Sequence, residues 1–330
     1  MLGAGIIGLT IAEELTRRGH EVEVVDPDPG NGASFAEAGM LSPAAEMWFG
    51  EADLLRLGSE SLRRWPELAA RLGVRLRRGG TLLVGHDHGD RQRVERQCEV
   101  LAASGLDVAP LDHGTLARLE PCLGRVQGAA HLVHEASIDP RAVIAALRGG
   151  VPVLPVPSDR EVSVTVLATG ARLPAPYGHF VRGVRGEVLR LRSDDPPTRT
   201  VRGWVAGQPV YLVPRAEGEV VVGATSEETG AAPVVTAGGV RTLLTAARAL
   251  WPALDRAELL EATARDRPTT ADGLPLVGPV APGVVLAAGH YRHGVLLAPL
   301  TAHLVADHLE TGHVDPALDP HRFLGKDGHA

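Results

Sequence analysis

The first 26 residues constrain the fold more than any other part of this chain. Glycines recur as G-x-G-x-x-G at Gly3, Gly5 and Gly8, and the apolar residues that follow have helical spacing as far as Gly19, a helix stop signal. The next segment, HEVEVVD, has the pattern of a strand and closes on Asp26, eighteen residues after Gly8. The sequence therefore predicts a glycine turn, a helix and a strand that ends in an acid.

Such a unit is typical of a dinucleotide site. The glycines allow a tight turn and close backbone approach, the helix N-terminus faces the pyrophosphate, and the acid binds the ribose hydroxyls. An acid rather than an arginine at position 26 suits an unphosphorylated ribose, which favours NAD or FAD over NADP. The alternative is a chance glycine turn at the start of the chain.

Only Met1 and Leu2 precede the first glycine, so the strand that normally leads into this turn is almost absent. In this fold that strand is central, parallel and buried on both faces. We therefore expect an exposed seam in the core. We also expect either a start a few residues upstream or weaker cofactor binding.

The composition excludes several classes of protein. With 330 residues the chain has room for two domains, and a net charge of -7 argues against nucleic-acid binding. No apolar run reaches the roughly 20 residues that a membrane helix needs, and the N-terminus lacks the basic start of a signal peptide, so we expect a cytoplasmic protein without a membrane partner. Cys98 and Cys122 lack metal-site spacing and suit a reducing compartment.

The segment NGASFAEAGMLSPAAE, residues 31–46, is rich in small residues and poor in charge. Small residues and glycine let the backbone approach a large flat ring closely, which favours FAD over NAD. The alternative is a surface loop of turn-forming residues, which would usually carry more charge.

These motifs together resemble the D-amino-acid-oxidase-like FAD-dependent oxidoreductases, and among them most closely the glycine oxidases associated with thiamine biosynthesis. The resemblance implies an α/β plus α+β fold, in which a Rossmann-like FAD-binding domain carries an inserted antiparallel-sheet substrate domain. It implies that residues 1–75, 136–177 and 272–330 form the FAD-binding domain, and that residues 76–135 and 178–271 form the substrate domain.

The middle of the chain continues the resemblance. The segment ASIDPRAVIAALRGG predicts a short helix, and VSVTVLATGA predicts a buried strand whose end, at Ala168 and Gly170, lies near FAD in the family. Two features differ from the family. The meander before this strand is reduced to VPVLPVPSDRE, whose prolines disfavour regular central strands, and Arg172 stands where the family has tryptophan. We expect different contacts on the adenine side.

Short strands follow between Gly178 and about Arg265, and then the chain returns to the cofactor domain. Tyr211 in VYLVPR and Arg267 in RDRPTT match the family segments that bind the substrate. A guanidinium can hold a carboxylate through two hydrogen bonds, and a phenol adds a donor. The alternatives are an interior sheet aromatic for Tyr211 and a surface arginine for Arg267, with Arg265 as the main rival.

The C-terminal turn GHYRHG, residues 289–294, opens an apolar helix predicted over 294–310. It resembles the family's flavin motif, in which the helix N-terminus stabilises negative charge on the reduced flavin. Arg292 can act through its carbonyl or its side chain, and Arg292, His290 or His293 would have to supply positive charge. A metal site at the two histidines lacks a third ligand, so none is predicted.

The predicted site residues are these. The cofactor-binding set is Gly3, Gly5, Ile6, Ile7, Gly8, Asp26, Ser34, Gly39, Met40, Leu41, Ala168, Gly170, Gly289, His290, Arg292, Gly294, Val295 and Leu296; the catalytic set is Tyr211, Arg267 and Arg292.

The resemblance implies oxidative deamination of a small amino acid such as glycine or sarcosine. The neutral amine gives up its Cα hydrogen as hydride without a side-chain base, and dioxygen becomes hydrogen peroxide. The lysine that some relatives place beside the flavin for oxygen has no counterpart, because the sole lysine, Lys326, is in the tail. Relatives with covalent flavin use a cysteine in the C-terminal third, and neither cysteine lies there, which implies non-covalent FAD. A D-amino-acid or N-methyl-amino-acid oxidase or dehydrogenase, a flavin-binding protein without turnover, and a homo-oligomer all stay open.

Overall fold

The structure is a computed structural model that describes residues 1–47, 50–230 and 232–323. Lys326 lies outside these residues. The described helices are α1 Ile6–Arg17, α2 Ala52–Leu72, α3 His88–Ala103, α4 His113–Leu119, α5 Pro140–Gly150, α6 Ala237–Leu250 and α7 Gly294–Thr311. The described strands are β1 Val24–Val25, β2 Met40–Leu41, β3 Thr81–Gly85, β4 Ala109–Pro110, β5 Gly128–Leu132, β6 Ala136–Ser137, β7 Val153–Leu154, β8 Thr165–Leu167, β9 Arg182–Arg192, β10 Thr200–Val205, β11 Gln208–Pro214, β12 Glu219–Gly223, β13 Glu258–Thr269, β14 Leu276–Ala281 and β15 Val284–Ala288.

The first three residues occupy the centre of a small, mostly parallel sheet. Leu2 forms parallel bridges with Val25 of β1 on one side and Leu167 of β8 on the other. With β7 beside β1, and β15 and β14 beyond β8, the order becomes β7, β1, Leu2, β8, β15, β14. The exposed seam that the sequence predicts is therefore not found, because Met1 and Leu2 are half-buried and pack against the core.

The helices predicted around this sheet are confirmed, but its strands are shorter than their apolar patterns. β1 covers only the last apolar pair of HEVEVVD, and β7 is a two-residue edge strand between Pro152 and Pro155. A strand extends only as far as its neighbour offers hydrogen-bonding partners. The short β7 and the single residue Leu2 therefore limit β1.

A second, larger sheet has eight strands in the order β13, β9, β12, β11, β10, β3, β5, β4. Its pairs are antiparallel except β10 with β3, and it draws strands from both residues 81–132 and 182–269. One face packs against α6, through residues such as Leu212 and Leu243. Alternate residues of the same strands, such as Val213 and Val221, face Ala38 and Met40 of the small-residue loop. This second face is where the loop and the sheet meet.

Helix α7 is buried between α1 and α2. The carbonyl of Leu296 in its first turn accepts hydrogen bonds from Trp65 Nε1 at 3.0 Å and Ser61 Oγ at 2.6 Å, both on α2. Among the described residues, no helix combines the length and the apolar character needed to cross a bilayer.

Candidate active site

Two adjoining cavities lie between the sheets. The larger, of about 1580 Å³, runs along the glycine turn, β1, the small-residue loop and the N-terminus of α7. The smaller, of about 80 Å³, lies under the large sheet. Glu37 and Tyr291 line both, so the two spaces meet at these side chains.

The glycines at the mouth of α1 are required by close backbone contacts. Gly3 has a φ of +101°, and a Cβ placed there would lie 2.4 Å from the carbonyl oxygen of Ala168. A Cβ on Gly8 would lie 2.0 Å from the Gly3 carbonyl oxygen, and one on Gly5 would lie 3.3 Å from Ser34 Oγ. Gly3 and Gly8 thus bring strand, turn and helix together, and Gly5 leaves the backbone open toward the cleft.

Asp26 lies at the cleft wall, where the sequence predicts it. Its Oδ2 accepts a hydrogen bond from Ala4 N at 2.8 Å, and its Oδ1 accepts one from Asp28 N at 2.9 Å. An ionised carboxylate offers about four acceptor positions, so two remain for ligand hydroxyls. The same group therefore fixes the glycine turn and faces the large cleft.

Two arginines hold the small-residue loop. Arg141 donates from Nε to the Phe35 carbonyl at 3.0 Å, lies 3.6 Å from the centre of the Phe35 ring, and forms a bidentate pair with Glu261 at 2.7 and 2.9 Å. The Arg141 hydrogen bonds lower the pKa of Glu261 to about 2. Arg215, which is buried, donates to the carbonyl of Ala38. The backbone on both sides of Glu37 is thereby fixed.

The N-terminus of α7 faces the other end of the cleft. Gly289 has a φ of +76°, and a Cβ there would lie 2.4 Å from Thr270 Cγ2, while Gly294 begins the helix. Burial lowers the pKa of His290 to about 3 and that of His293 to about 4, so both imidazoles are neutral at pH 7. Of the three residues expected to supply positive charge, His290 and His293 therefore supply none at pH 7.

Glycines in neighbouring strands leave space for the two predicted substrate-binding side chains. A Cβ on Gly223 would lie 2.1 Å from the Tyr211 hydroxyl, and a Cβ on Gly186 would lie 2.2 Å from the guanidinium nitrogens of Arg267. The Arg267 Nη1 donates to the Thr225 carbonyl at 3.1 Å. Burial raises the pKa of Tyr211, which keeps its phenol protonated as a hydrogen-bond donor.

The rival arginine occupies a different place. Arg267 lines the small pocket, whereas Arg265 lines the large cleft, with its guanidinium 5.7 Å from the centre of the Phe35 ring. The two residues therefore face different ligand spaces.

Three charged residues of the small pocket, Glu37, Glu46 and Arg202, are missing from the sequence prediction. Glu46 is buried, with Oε1 3.9 Å from Arg202 Nη1 and Oε2 3.7 Å from His293 Nδ1. The one signal in the sequence was an acid inside each small-residue run, AEAG and PAAE. No sequence pattern marked Arg202, because it reaches the pocket only through the pairing of β10 with β3.

The structure brings most of the predicted residues together. The large cleft is lined by Gly3, Gly5, Ile6, Ile7, Asp26, Ser34, Ala168, Gly170, Gly289, His290, Gly294 and Val295. The small pocket is lined by Gly39, Met40, Tyr211, Arg267 and Arg292. Gly8, Leu41 and Leu296 line neither; Gly8 packs on Gly3, and the two leucines lie in the core.

This chain is similar in sequence to known proteins of one family. The DAO family model, described as FAD dependent oxidoreductase, matches residues 2–308. A protein of Rhizobium etli named as the thiamine biosynthesis oxidoreductase ThiO is 37% identical over 333 residues, which cover 95% of this chain and 97% of that protein. The glycine oxidase of Geobacillus kaustophilus is 31% identical over 370 residues, covering 99% of this chain and 97% of the relative.

Solved structures agree. The crystal structure of glycine oxidase from Geobacillus kaustophilus matches with a TM-score of 0.85 over 98% of this chain and 96% of that chain. The L-proline dehydrogenase of P. horikoshii has a TM-score of 0.82 at 20% identity, a likeness of fold.

Proposed function

This chain belongs to the FAD-dependent oxidoreductase family, and we propose that it is a glycine oxidase that converts glycine, water and dioxygen to glyoxylate, ammonia and hydrogen peroxide. The observation that carries the proposal is the small pocket, in which the guanidinium of Arg267 and the hydroxyl of Tyr211 lie next to the cofactor cleft. The thiamine biosynthesis relative supports a role in that pathway.

The residues present fit FAD. The glycine turn leaves backbone space along α1, and the two free acceptor positions of Asp26 suit ribose hydroxyls. The N-terminus of α7, at Gly294 and Val295, lines the cleft, and the partial positive charge of a helix N-terminus favours an anionic group there. We propose that the FAD is bound non-covalently.

The size of the small pocket favours glycine. Its volume of about 80 Å³ is small beside the roughly 1580 Å³ of the large cleft. Glycine has five heavy atoms and no side chain to place. Sarcosine and D-alanine each add a methyl group, and we propose that both are poorer substrates.

The side chains of the pocket orient the substrate. Arg267 binds its carboxylate through two charge-assisted hydrogen bonds, and the protonated Tyr211 donates a third. The Cα then points toward the large cleft, where FAD, when bound, would supply the hydride acceptor and the route of the electrons to dioxygen. The resulting imine is hydrolysed in water.

The test is a peroxide assay of the purified yellow protein with glycine, sarcosine and D-alanine. Wild type is expected to favour glycine. Arg267→Ala should raise the KM for glycine by roughly 150-fold or more, because it removes two hydrogen bonds to a charged group, each of which contributes about 1.5–3 kcal/mol. Tyr211→Phe removes one such hydrogen bond and should raise the KM by roughly 10-fold or more.

Arg265→Ala is the matched control, because it removes the same group two residues away on the same strand. It faces the large cleft and should weaken FAD retention while leaving the KM of the loaded enzyme unchanged. The proposal fails if Arg267→Ala and Tyr211→Phe have wild-type KM values, or if no peroxide forms with glycine.

A further inference from the structure

Glu37 is an acid at the junction of the two cavities. It lines both the large cleft and the small pocket, the place where the Cα and amine of a bound amino acid must lie for oxidation. Hydrogen bonds from Arg141 to the Phe35 carbonyl and from Arg215 to the Ala38 carbonyl fix the backbone on either side of Glu37. Its position is therefore set before any ligand arrives.

The surroundings of Glu37 leave its carboxyl group for a ligand. The charged groups that act on it most strongly are Arg267, which attracts it, and Glu46, which repels it. Glu46, the other acid of the pocket, already lies between Arg202 and His293. Apart from Glu37 and Glu46, the charged or titratable residues that line the small pocket are Arg202, Tyr211, Arg267, Tyr291 and Arg292.

The pocket lining thus includes the guanidinium of Arg267 and the carboxyl group of Glu37. An amino acid in water is a zwitterion, which offers a carboxylate to Arg267 and an ammonium group to Glu37. An ammonium nitrogen has no lone pair to assist departure of a hydride from Cα, so one proton must leave before oxidation. A carboxylate beside the amine can take that proton.

We propose that Glu37 accepts a proton from the ammonium group of the substrate and thereby selects amino acids over carboxylic acids that lack an amine. The carboxylate becomes a carboxylic acid, the ammonium becomes a neutral amine, and the proton passes to water after the product leaves. This inference rests on the proposed amino-acid oxidation, and it replaces the expectation that no side-chain base takes part. Burial raises the pKa of Glu37 to about 8, which brings it closer to that of an amine.

The first test is the pH dependence of kcat/KM for glycine in wild type, Glu37→Gln and Glu37→Asp. Wild type should lose activity toward acid pH as Glu37 becomes protonated. Glu37→Gln should fall roughly 100-fold at pH 7, as expected for loss of a general base, and its acid limb should move up to the pKa of the glycine ammonium group, because only the neutral amine can then react. Glu37→Asp keeps a carboxylate and should keep the limb at a lower rate. The control is Glu258→Gln, an exposed acid at the opposite end of β13 from Arg267, which should match wild type.

The second test measures binding of acetate, which has a carboxylate but no amine, by the change in flavin absorbance of the holoenzyme. Acetate should bind wild type more weakly as the pH rises, because the ionised Glu37 repels it. Glu37→Gln should bind acetate roughly tenfold more tightly at pH 9, without this pH dependence. An acid limb that stays at the wild-type pH in Glu37→Gln, or acetate binding equal to wild type, overturns the proposal. If wild type makes no peroxide from glycine, the proposed function fails, and the acetate arm still decides the role of Glu37.

Discussion

At the scale of single residues, this site depends on glycines whose missing Cβ leaves space for a particular neighbouring side chain or backbone group. Gly186 and Gly223 stand in regular strands, and each leaves the space that a functional side chain fills, Arg267 over the first and Tyr211 over the second. Gly3 makes room for backbone instead, since the Ala168 carbonyl occupies the position of its missing Cβ. The residue type is the same, but the consequences of substitution differ.

Gly3→Ala should destabilise the protein more than Gly19→Ala. Both glycines have positive φ, +101° and +91°, so both substitutions force an alanine into a left-handed backbone, at a cost of roughly 1–2 kcal/mol. Only at Gly3 would the new Cβ meet backbone, 2.4 Å from the Ala168 oxygen, whereas Gly19 has nothing within 4 Å. Urea unfolding should show a further loss of at least about 1 kcal/mol for Gly3→Ala, with reduced FAD content. Equal losses for the two variants would contradict this account of the turn.

How far the site could be predicted depended on whether a residue belongs to a local pattern. The glycine turn, Tyr211 and Arg267 stand in short motifs that carry their own spacing, and the structure gathers them at two adjoining cavities. Arg202 reaches the small pocket only through the pairing of β10 with β3, more than 100 residues away in sequence. Contacts of that kind have no local signature.

At the scale of elements, the position of α7 is set by α2. The Leu296 carbonyl accepts hydrogen bonds from both Trp65 and Ser61, and Ser61 Oγ also accepts one from Leu300 N at 3.3 Å. Pro299, which has no N–H, lies in the same turn. Helix α2 thus supplies two side-chain donors to the first turn of α7 and fixes the helix whose N-terminus faces the cofactor cleft.

A double-mutant cycle of Ser61→Ala and Trp65→Phe tests this contact. Each single variant leaves one side-chain donor on the Leu296 carbonyl and should lower the free energy of unfolding by about 1 kcal/mol. The double variant removes both side-chain donors, and should lose at least about 0.5 kcal/mol more than the sum. Urea unfolding measures all four proteins, and simple additivity would show that the two donors act independently.

The elements themselves were predictable to different degrees. Helices α1, α5 and α7 follow from local spacing, because an isolated amphipathic pattern with its stop signals specifies a helix. β1 and β8 are shorter than their apolar patterns because their length depends on distant partners. The division into an FAD-binding and a substrate domain at the predicted boundaries stays a prediction.

At the scale of the whole molecule, burial shifts the pKa values of several ionisable groups toward their neutral forms. Burial lowers the pKa values of His290 and His293, which opposes folding as the pH falls below their ordinary value of about 6.5. Burial raises the pKa values of Glu37 to about 8 and Glu135 to about 7, which opposes folding as the pH rises. The two histidines therefore lower the stability of the fold at acid pH, and the two glutamates lower it at higher pH.

Glu135→Gln isolates one of these contributions. Glu135 is buried, and its Oε1 accepts hydrogen bonds from Ala44 N at 3.0 Å and Ala45 N at 2.8 Å, which an amide oxygen can also accept. The folded protein keeps the Glu135 proton up to a pKa of about 7, while the unfolded chain releases it near 4.5. The stability that this carboxyl group contributes is thus fully present below pH 4.5 and is lost as the pH rises through 7.

Relative to wild type, Glu135→Gln should therefore gain stability with pH, by roughly 3 kcal/mol between pH 4.5 and 8. The difference in unfolding free energy between the two proteins, measured in urea at a fixed FAD concentration, removes the contributions of His290, His293 and Glu37, which both proteins share. The control is Glu258→Gln, which removes an exposed carboxyl group. A pH-independent difference for Glu135→Gln would show that the folded protein holds this group ionised, with its charge balanced by the hydrogen bonds from Ala44 and Ala45.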